Sequence, residues 1–479
     1  MMTVRVALRA LTTRPVRSAV LAGGFGCGIA VMAALLGVGE VILEQARSAD
    51  LRGGGDVIVF GISGELRDGR ALLSVLGEPA AGGGLIGAIS PTASDQLYVP
   101  GERGALPIRA RGGIPSLERA VGDRETSSVL AWDDAPEDEA WIEPDRADLL
   151  RSIDRFHVAP DLPELTDWWM EWLYFNGRRV DTSFYVSFIF GRVDENGLRP
   201  ALVRCQLESD GVKRVFSDVA EVDAAWLLAS APDVDAGASR VRLVGTEYHL
   251  RLALFVEGPD GPRAAREPGR RPDLSGELVL DASRGGSMLP LELRGARNWV
   301  SGYVVPVMAG AWRGSLSLDG ERLSLDGGTG YHDHNWGFWK GVTWQWGQVS
   351  HAGFAVLYGR VRPPAAFADP EQMPTFVVVD PPDGPPSFSS GALIEESDEA
   401  EGATPREISI RARGIGIDLA IRFDVHDTIR SPAPFVARSE GLPDLEFLQM
   451  RGAYTVSGEY DGAPLEFTAP GVAETYRSR

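Results

Sequence analysis

Two stretches of this chain, MAGAWRGSLSLDGERLSLDGG from Met308 and MRGAYTVSGEYDGAPLEFTAP from Met450, align at a constant offset of 142 residues. Gly310, Ala311, Asp319, Gly320 and Leu323 match Gly452, Ala453, Asp461, Gly462 and Leu465, and Trp312 stands opposite Tyr454. Each copy reads as a hairpin with an Asp-Gly turn, because that dipeptide supplies the positive φ angles of a tight antiparallel turn. A repeat of this kind requires one supersecondary unit to occur twice. The openings match more weakly: EWLYFNG then FYVSFIFGRV, and NWGFWKG then FAVLYGRV. Between them run short alternating segments (ALVRCQL, RVRLVG, HLRLAL, GELVLDA) broken by Gly, Asp, Asn or Pro every eight to twelve residues or so. The expected fold is mainly β, with two lipocalin-like antiparallel barrels over about 152–330 and 331–479.

The remainder divides in two. Arg5, Arg9, Arg14 and Arg17 precede an uncharged stretch from Ser18 to Gly39, followed by Glu40 and Glu44. At about 1.5 Å per residue, such a helix spans roughly 33 Å, enough for one bilayer crossing. The charge asymmetry puts the N-terminus in the cytoplasm and the body outside it, at a bacterial inner membrane. A cleaved signal peptide and a lipoprotein signal at Cys27 are the rivals, but no small-x-small site follows cleanly and Gly24-Phe25-Gly26 is a poor lipobox. The leader ALRALTTRPVRSAVLAGGFGCGIAVMAALLGV, followed by GGGDVIVFG, resembles the start of a macrolide-exporter-type ABC permease. That resemblance implies an anchor helix over 1–48 and an extracytoplasmic remnant over 49–151, with ABC transporter components as possible partners. No second apolar stretch of membrane length follows. Residues 131–150 carry eight acids against one arginine and read as a solvated linker or short helix. A net charge of −20 argues against nucleic acid as a partner. Two cysteines, Cys27 and Cys205, exclude a disulfide framework or a cysteine-built zinc site.

The segment Gly330-Tyr331-His332-Asp333-His334-Asn335-Trp336-Gly337 stands out, because titratable side chains sit among aromatics there. Trp339, Trp344, Trp346, His351 and Tyr358 follow closely, and Trp168, Trp169 and Trp172 form an earlier cluster. Strand alternation sends His332 and His334 to one face and Asp333 to the other unless a bend intervenes. Three readings stay open. The segment can be a structural junction plugged by tryptophans. His332 and His334, with a distant ligand such as His351, can bind a metal. Or an acid–base site lies in an aromatic pocket that takes a lipophilic molecule and needs no cofactor or metal. In that third case a buried carboxylic acid protonates an alkene, and tryptophan and tyrosine faces stabilise the cation. Glu171 is either a buried strand residue or a site acid. His157, His249 and His426 read as structural or exposed, and Cys205 as core.

YHDHNWG, EWLYFNG, the Ser301–Tyr303 SGY and the closing GVAETY resemble the carotenoid 1,2-hydratase / AttH-like family over about 155–479. The resemblance implies two lipocalin-like barrels and water addition to a terminal double bond of an acyclic polyene. Carried over, His334, Trp336 and Tyr358 match the family's histidine, tryptophan and tyrosine; the expected catalytic residues are His334, Tyr358 and an acid, with Trp336, Trp172, Tyr331, Trp339, Trp346 and Arg360 around the substrate. The family's acid two residues after the tyrosine is replaced by Arg360, so Asp333 or Glu171 must donate the proton. The alternative is a binding module that carries a lipophilic small molecule for an exporter. The expectation is that Asp333, His334, Trp336 and Tyr358 line one cavity.

Overall fold

The computed structural model describes residues 55, 57–59, 66, 68–77, 86–101, 104–123, 132–258, 270–397, 404–432 and 445–478. These fall into two units. The smaller holds a hairpin of β1 (Thr92–Gly101) and β2 (Gly104–Gly113) followed by a helix at Pro115–Ala120. Buried Glu118 accepts from the Thr92 hydroxyl at 2.7 Å and pairs with Arg111, which ties that helix to the hairpin. The expected membrane span, Ser18 to Gly39, and Cys27 lie outside the described residues. Among the described residues no helix is long and apolar enough to cross a membrane.

The larger unit contains both repeats. Its first sheet runs through β3 (Trp169–Arg179), β4 (Thr182–Phe190), β5 (Leu198–Ser209), β6 (Val212–Asp223), β7 (Val234–Ala236), β8 (Ser239–Val244) and β9 (Glu247–Val256). It continues with β10 (Leu274–Asp281), β11 (Met288–Arg294), β12 (Val300–Leu318), β13 (Glu321–Ser324) and β14 (Gly328–Phe338). Eight of these strands close a ring in the order β3-β4-β5-β6-β9-β10-β12-β14, and β14 pairs back onto β3. Closure leaves no free edge around the ring. Its interior is filled by Phe175, Phe184, Phe188, Tyr248, Trp312 and many aliphatic residues, all buried.

The second sheet has nine strands: β15 (Thr343–His351), β16 (Phe354–Arg362), β17 (Thr375–Asp380), β18 (Ser387–Ser389), β19 (Leu393–Ser397), β20 (Glu407–Gly414), β21 (Ile417–Pro432), β22 (Leu445–Tyr460) and β23 (Ala463–Ser478). Their order is β18-β17-β16-β15-β23-β22-β21-β20-β19. Its hydrophobic core, built on Phe423, Tyr454, Leu448 and Met450, is separate from that of the first barrel. No ladder joins its two edges among the described residues, so the second body is a curled half-barrel rather than a second closed barrel. A hydrogen bond of 2.6 Å from the Ser389 hydroxyl to the Arg413 carbonyl links β18 to β20 across the gap.

The boundary expected at 330 falls inside a strand. β14 runs to Phe338 as a member of the first ring, because its ladder with β3 is unbroken from Thr329 to Phe338. The join therefore lies between Phe338 and Thr343. The acidic stretch is also no free linker. Asp145 caps a helix at Arg146–Ile153 that buries Leu150 and Ile153, and the chain then delivers Asp154 into the barrel.

The repeat is visible in both bodies. Asp319 and Asp461 share φ of 53°, and each precedes a glycine at positive φ in a two-residue hairpin turn. Trp312 packs over Gly177 and Gly330, and Tyr454 packs over Gly347 and Gly471. Gly310 pairs with Gly330, and Gly452 pairs with Gly471. The second pairing is one residue shorter because β13 and β14, broken at Leu325–Gly327, correspond to the continuous β23. In this register Asp333 and Glu474 occupy equivalent positions, three residues after their glycines.

Candidate functional site

The alternation of β14 sorts the YHDHNWG segment onto two faces. His332 and His334 point into the closed barrel, and Tyr331, Asp333 and Asn335 point out of it. The bend that would bring Asp333 and His334 together does not occur, since the β3 ladder holds β14 extended throughout. The two faces form two distinct constellations.

The inner one is an ion network whose acids, His332 and His334 are fully buried and whose outermost member, His157, is partly exposed. His334 Nδ1 bonds Asp154 Oδ1 at 2.7 Å, and its Nε2 faces Glu171 Oε1 at 3.2 Å. Asp154 Oδ2 also accepts from Tyr248 at 2.9 Å and meets His332 Nε2 at 2.9 Å. Glu171 binds the backbone N–H of His157 at 2.9 Å, the His157 ring at 2.8 Å and Arg199 at 2.9 Å. Burial alone would push His334 down, but two carboxylates on its two nitrogens hold it up at about 9, as an imidazolium. Burial would likewise raise Glu171, yet its hydrogen bonds to His157 and His334 and the charge of Arg199 bring it down to about 2. Asp154 is also held well below the usual carboxylate range by both histidines, against its burial. Donor atoms of His157, Glu171 and His334 lie within 4.8 Å of one another, a spacing that could hold a metal ion. The contacts are those of hydrogen bonds, however, and Arg199 already supplies the opposite charge. The metal reading built on His332, His334 and His351 is not assembled, because His351 stacks on Phe467 in the second sheet.

Trp336 stacks on His157 at 3.8 Å between centroids and packs over Gly302, at the end of this network. Tyr358 is buried in the second sheet's core, beside Tyr454. Arg360 lies in a separate polar depression with Gln345 and Glu396. Glu171, His334, Trp336, Tyr358 and Arg360 therefore do not line a common cavity with Asp333. The expectation that Asp333, His334, Trp336 and Tyr358 line one cavity is corrected by the strand period and by the placing of β16 in the other sheet.

The outer constellation is a cavity between the outer wall of the barrel and the second sheet. With its mouth it encloses about 1100 Å³, and Trp172, Trp339, Trp344, Trp346, Tyr303 and Tyr476 line it. Asp333 projects into it from β14 and Glu474 from β23. Asn335 donates to Asp333 at 2.6 Å, and the Tyr331 hydroxyl bonds the same carboxyl while accepting from Trp346 Nε1 at 2.9 Å. Tyr174, the register partner of Asp333, reaches across and bonds Glu474. Burial and the nearby charge of Glu474 hold Asp333 well above the ordinary aspartate value. Burial lifts Glu474 to about 7 against hydrogen bonds from Gln449 and Tyr174. Two carboxyl groups sharing an apolar space cannot both ionise cheaply, so one keeps its proton.

Of the residues expected around a ligand, Asp333, Trp172, Trp339 and Trp346 line this cavity, and Tyr331 supports it by hydrogen bonds. Sequence reasoning missed Glu474, Asp154, Tyr174, His157 and Gln449. Glu474 was within reach, since the repeat puts it opposite Asp333 once the one-residue difference in the turn is allowed for. Asp154 carried no signal, as it follows a short helix far from either motif.

Fold and site together define a two-bodied β protein with an aromatic, acid-bearing cavity between a closed barrel and a half-barrel. Three solved structures are similar over about two thirds of this chain. They are an AttH-like protein from Nitrosomonas europaea (16% identity, 66% of this chain and 97% of that one, TM-score 0.42), kievitone hydratase from Nectria haematococca (11%, 64% and 88%, 0.39) and CghA with Sch210972 (13%, 68% and 94%, 0.38). No family model and no curated protein matches the chain.

Proposed function

We propose that the cavity between the barrel and the second sheet is an active site that adds water to a carbon–carbon double bond of a lipophilic molecule, such as an acyclic polyene or isoprenoid. The observation that carries this reading is the Asp333–Glu474 pair: two carboxyl groups, one from each body, project into one aromatic space, where burial raises both. Asp333 gives its proton to one alkene carbon, and a cation forms on the other. The faces of Trp172, Trp339, Trp344 and Trp346 stabilise it, each by about 0.5–2 kcal/mol. A water molecule attacks the cation and passes a proton to Glu474. The net result is H and OH added across the double bond and one proton moved from Asp333 to Glu474. Return of that proton resets the pair; Tyr174, hydrogen-bonded to Glu474 and the register partner of Asp333, lies beside both acids. The likeness of the DHNWG segment to carotenoid hydratases supports the same chemistry, with Asp333 in place of the acid lost at Arg360.

The test is incubation with a panel of acyclic isoprenoid alkenes in oxygen-18 water, followed by mass spectrometry. The account predicts labelled alcohol from at least one alkene, and a loss of about 10²–10⁴ in rate for Asp333→Asn with binding kept within a few-fold. Binding without labelled product would overturn hydration and leave the carrier for an exporter as the reading.

A further inference from the structure

Two side chains on the cavity wall have a buried oxygen that the acid pair does not use. Gln206, on β5 of the barrel, is 5% exposed, and Gln449, on β22 of the second sheet, is 4% exposed. Both line the cavity, and neither side-chain oxygen has a hydrogen-bond partner among the described residues. The Gln449 amide nitrogen donates to Glu474 at 3.3 Å, which orients the amide and leaves its oxygen without a donor.

The two glutamines flank one tie between the bodies. Gln206 is the register partner of Tyr185, and Gln449 lies two residues from Arg451. Arg451 donates to the Tyr185 hydroxyl at 3.0 Å, so the two glutamines belong to the same end of the cavity. Gln449 is also the direct cross-strand partner of Glu474. Directly opposed residues have Cβ atoms about 5 Å apart. An acceptor stripped of water and left unpaired is costly, and a ligand that donates to it removes that cost.

We propose that this end of the cavity recognises a hydroxyl group of the ligand, whose one proton is shared in a three-centre hydrogen bond between the side-chain oxygens of Gln206 and Gln449, a few carbons from the double bond that faces Asp333. The substrate class is then an alcohol- or phenol-bearing unsaturated lipid rather than a pure hydrocarbon. The proposal rests on the reading of the cavity as a ligand site, but not on proton transfer by Asp333.

The experiment measures quenching of the cavity tryptophans by farnesol, farnesyl methyl ether and farnesene. It uses the full chain and its Asp333→Asn, Gln206→Leu and Gln449→Leu forms. Farnesol should bind about tenfold or more tighter than the ether and the hydrocarbon, the difference expected for a buried hydrogen bond regained. Asp333→Asn should keep that preference, and each leucine variant should reduce it while binding farnesene as well or better. Gln206→Leu should also melt no lower than the parent, since an unpaired buried acceptor is removed. Equal binding of all three probes, no binding of any, or a preference that survives both leucine substitutions would overturn the proposal. Hydration fails separately, if Asp333→Asn turns over an alkene at the parent's rate.

Discussion

At the scale of single residues, the two acids of the cavity and the two acids inside the barrel have opposite electrostatic fates. Asp154 and Glu171 are fully buried, yet they stay ionised because every carboxylate oxygen they present meets a histidine, an arginine, a tyrosine or a backbone N–H. Asp333 has an asparagine, a tyrosine and a neighbouring carboxyl for company, and no cation bonds it among the described residues. Burial therefore wins at Asp333 and loses at Asp154. This gives a pH prediction with a definite sign. Glu474 titrates at about 7 in the folded chain, above the ordinary 4.5, so the folded state holds its proton more tightly than the unfolded state does. Its stabilising contribution is fully present below the unfolded value and is lost as pH rises through about 7. The melting temperature of the native protein should fall more between about pH 5 and about pH 8 than that of Glu474→Gln. Parallel curves for the two proteins would show that Glu474 is not raised.

At the scale of elements, the strand period did most of the sorting. The repeat, the Asp-Gly turns and the separation of His332 and His334 from Asp333 could all be read from spacing. The face each set would occupy could not, because alternation is silent on which side of a strand is a barrel interior and which an interface. The sequence-based cavity joined Trp336 to Asp333 through a bend and Tyr358 through a following strand returning alongside, yet β14 stays extended and Tyr358 belongs to a strand of the other sheet. Glycine positions carry an independent check on the repeat. A Cβ on Gly330 would sit 2.5 Å from Trp312 Nε1, inside the crossing of β12 and β14. Gly330→Ala should cost about 1–3 kcal/mol in chemical denaturation, as overpacked cores do. An unchanged midpoint would mean that the tryptophan is free to move aside and that the glycine is not what lets it pack.

At the scale of the whole molecule, the duplication explains why an acid pair exists at all. One strand position, three residues beyond a glycine, bears a carboxyl in each copy, and apposing the outer faces of β14 and β23 brings the two into one cavity. The second body could remain an open half-barrel because that cavity uses its outer face. Its inner face holds a separate core. The charge asymmetry around Ser18 to Gly39 belongs to this scale as well, and we propose that it anchors the β bodies on the outer side of the membrane. Protease added to intact spheroplasts should then degrade them, and complete protection would reverse the orientation. The central claim, however, is the proton held on Asp333. Infrared spectra of the native protein, Asp333→Asn and Glu474→Gln at neutral pH read it directly, through the carbonyl stretch of an un-ionised carboxyl. The account predicts such a band in the native protein and in Glu474→Gln, and a weaker one in Asp333→Asn, where only the partly protonated Glu474 contributes. A native spectrum without that band, or one that Asp333→Asn leaves unchanged, would contradict it.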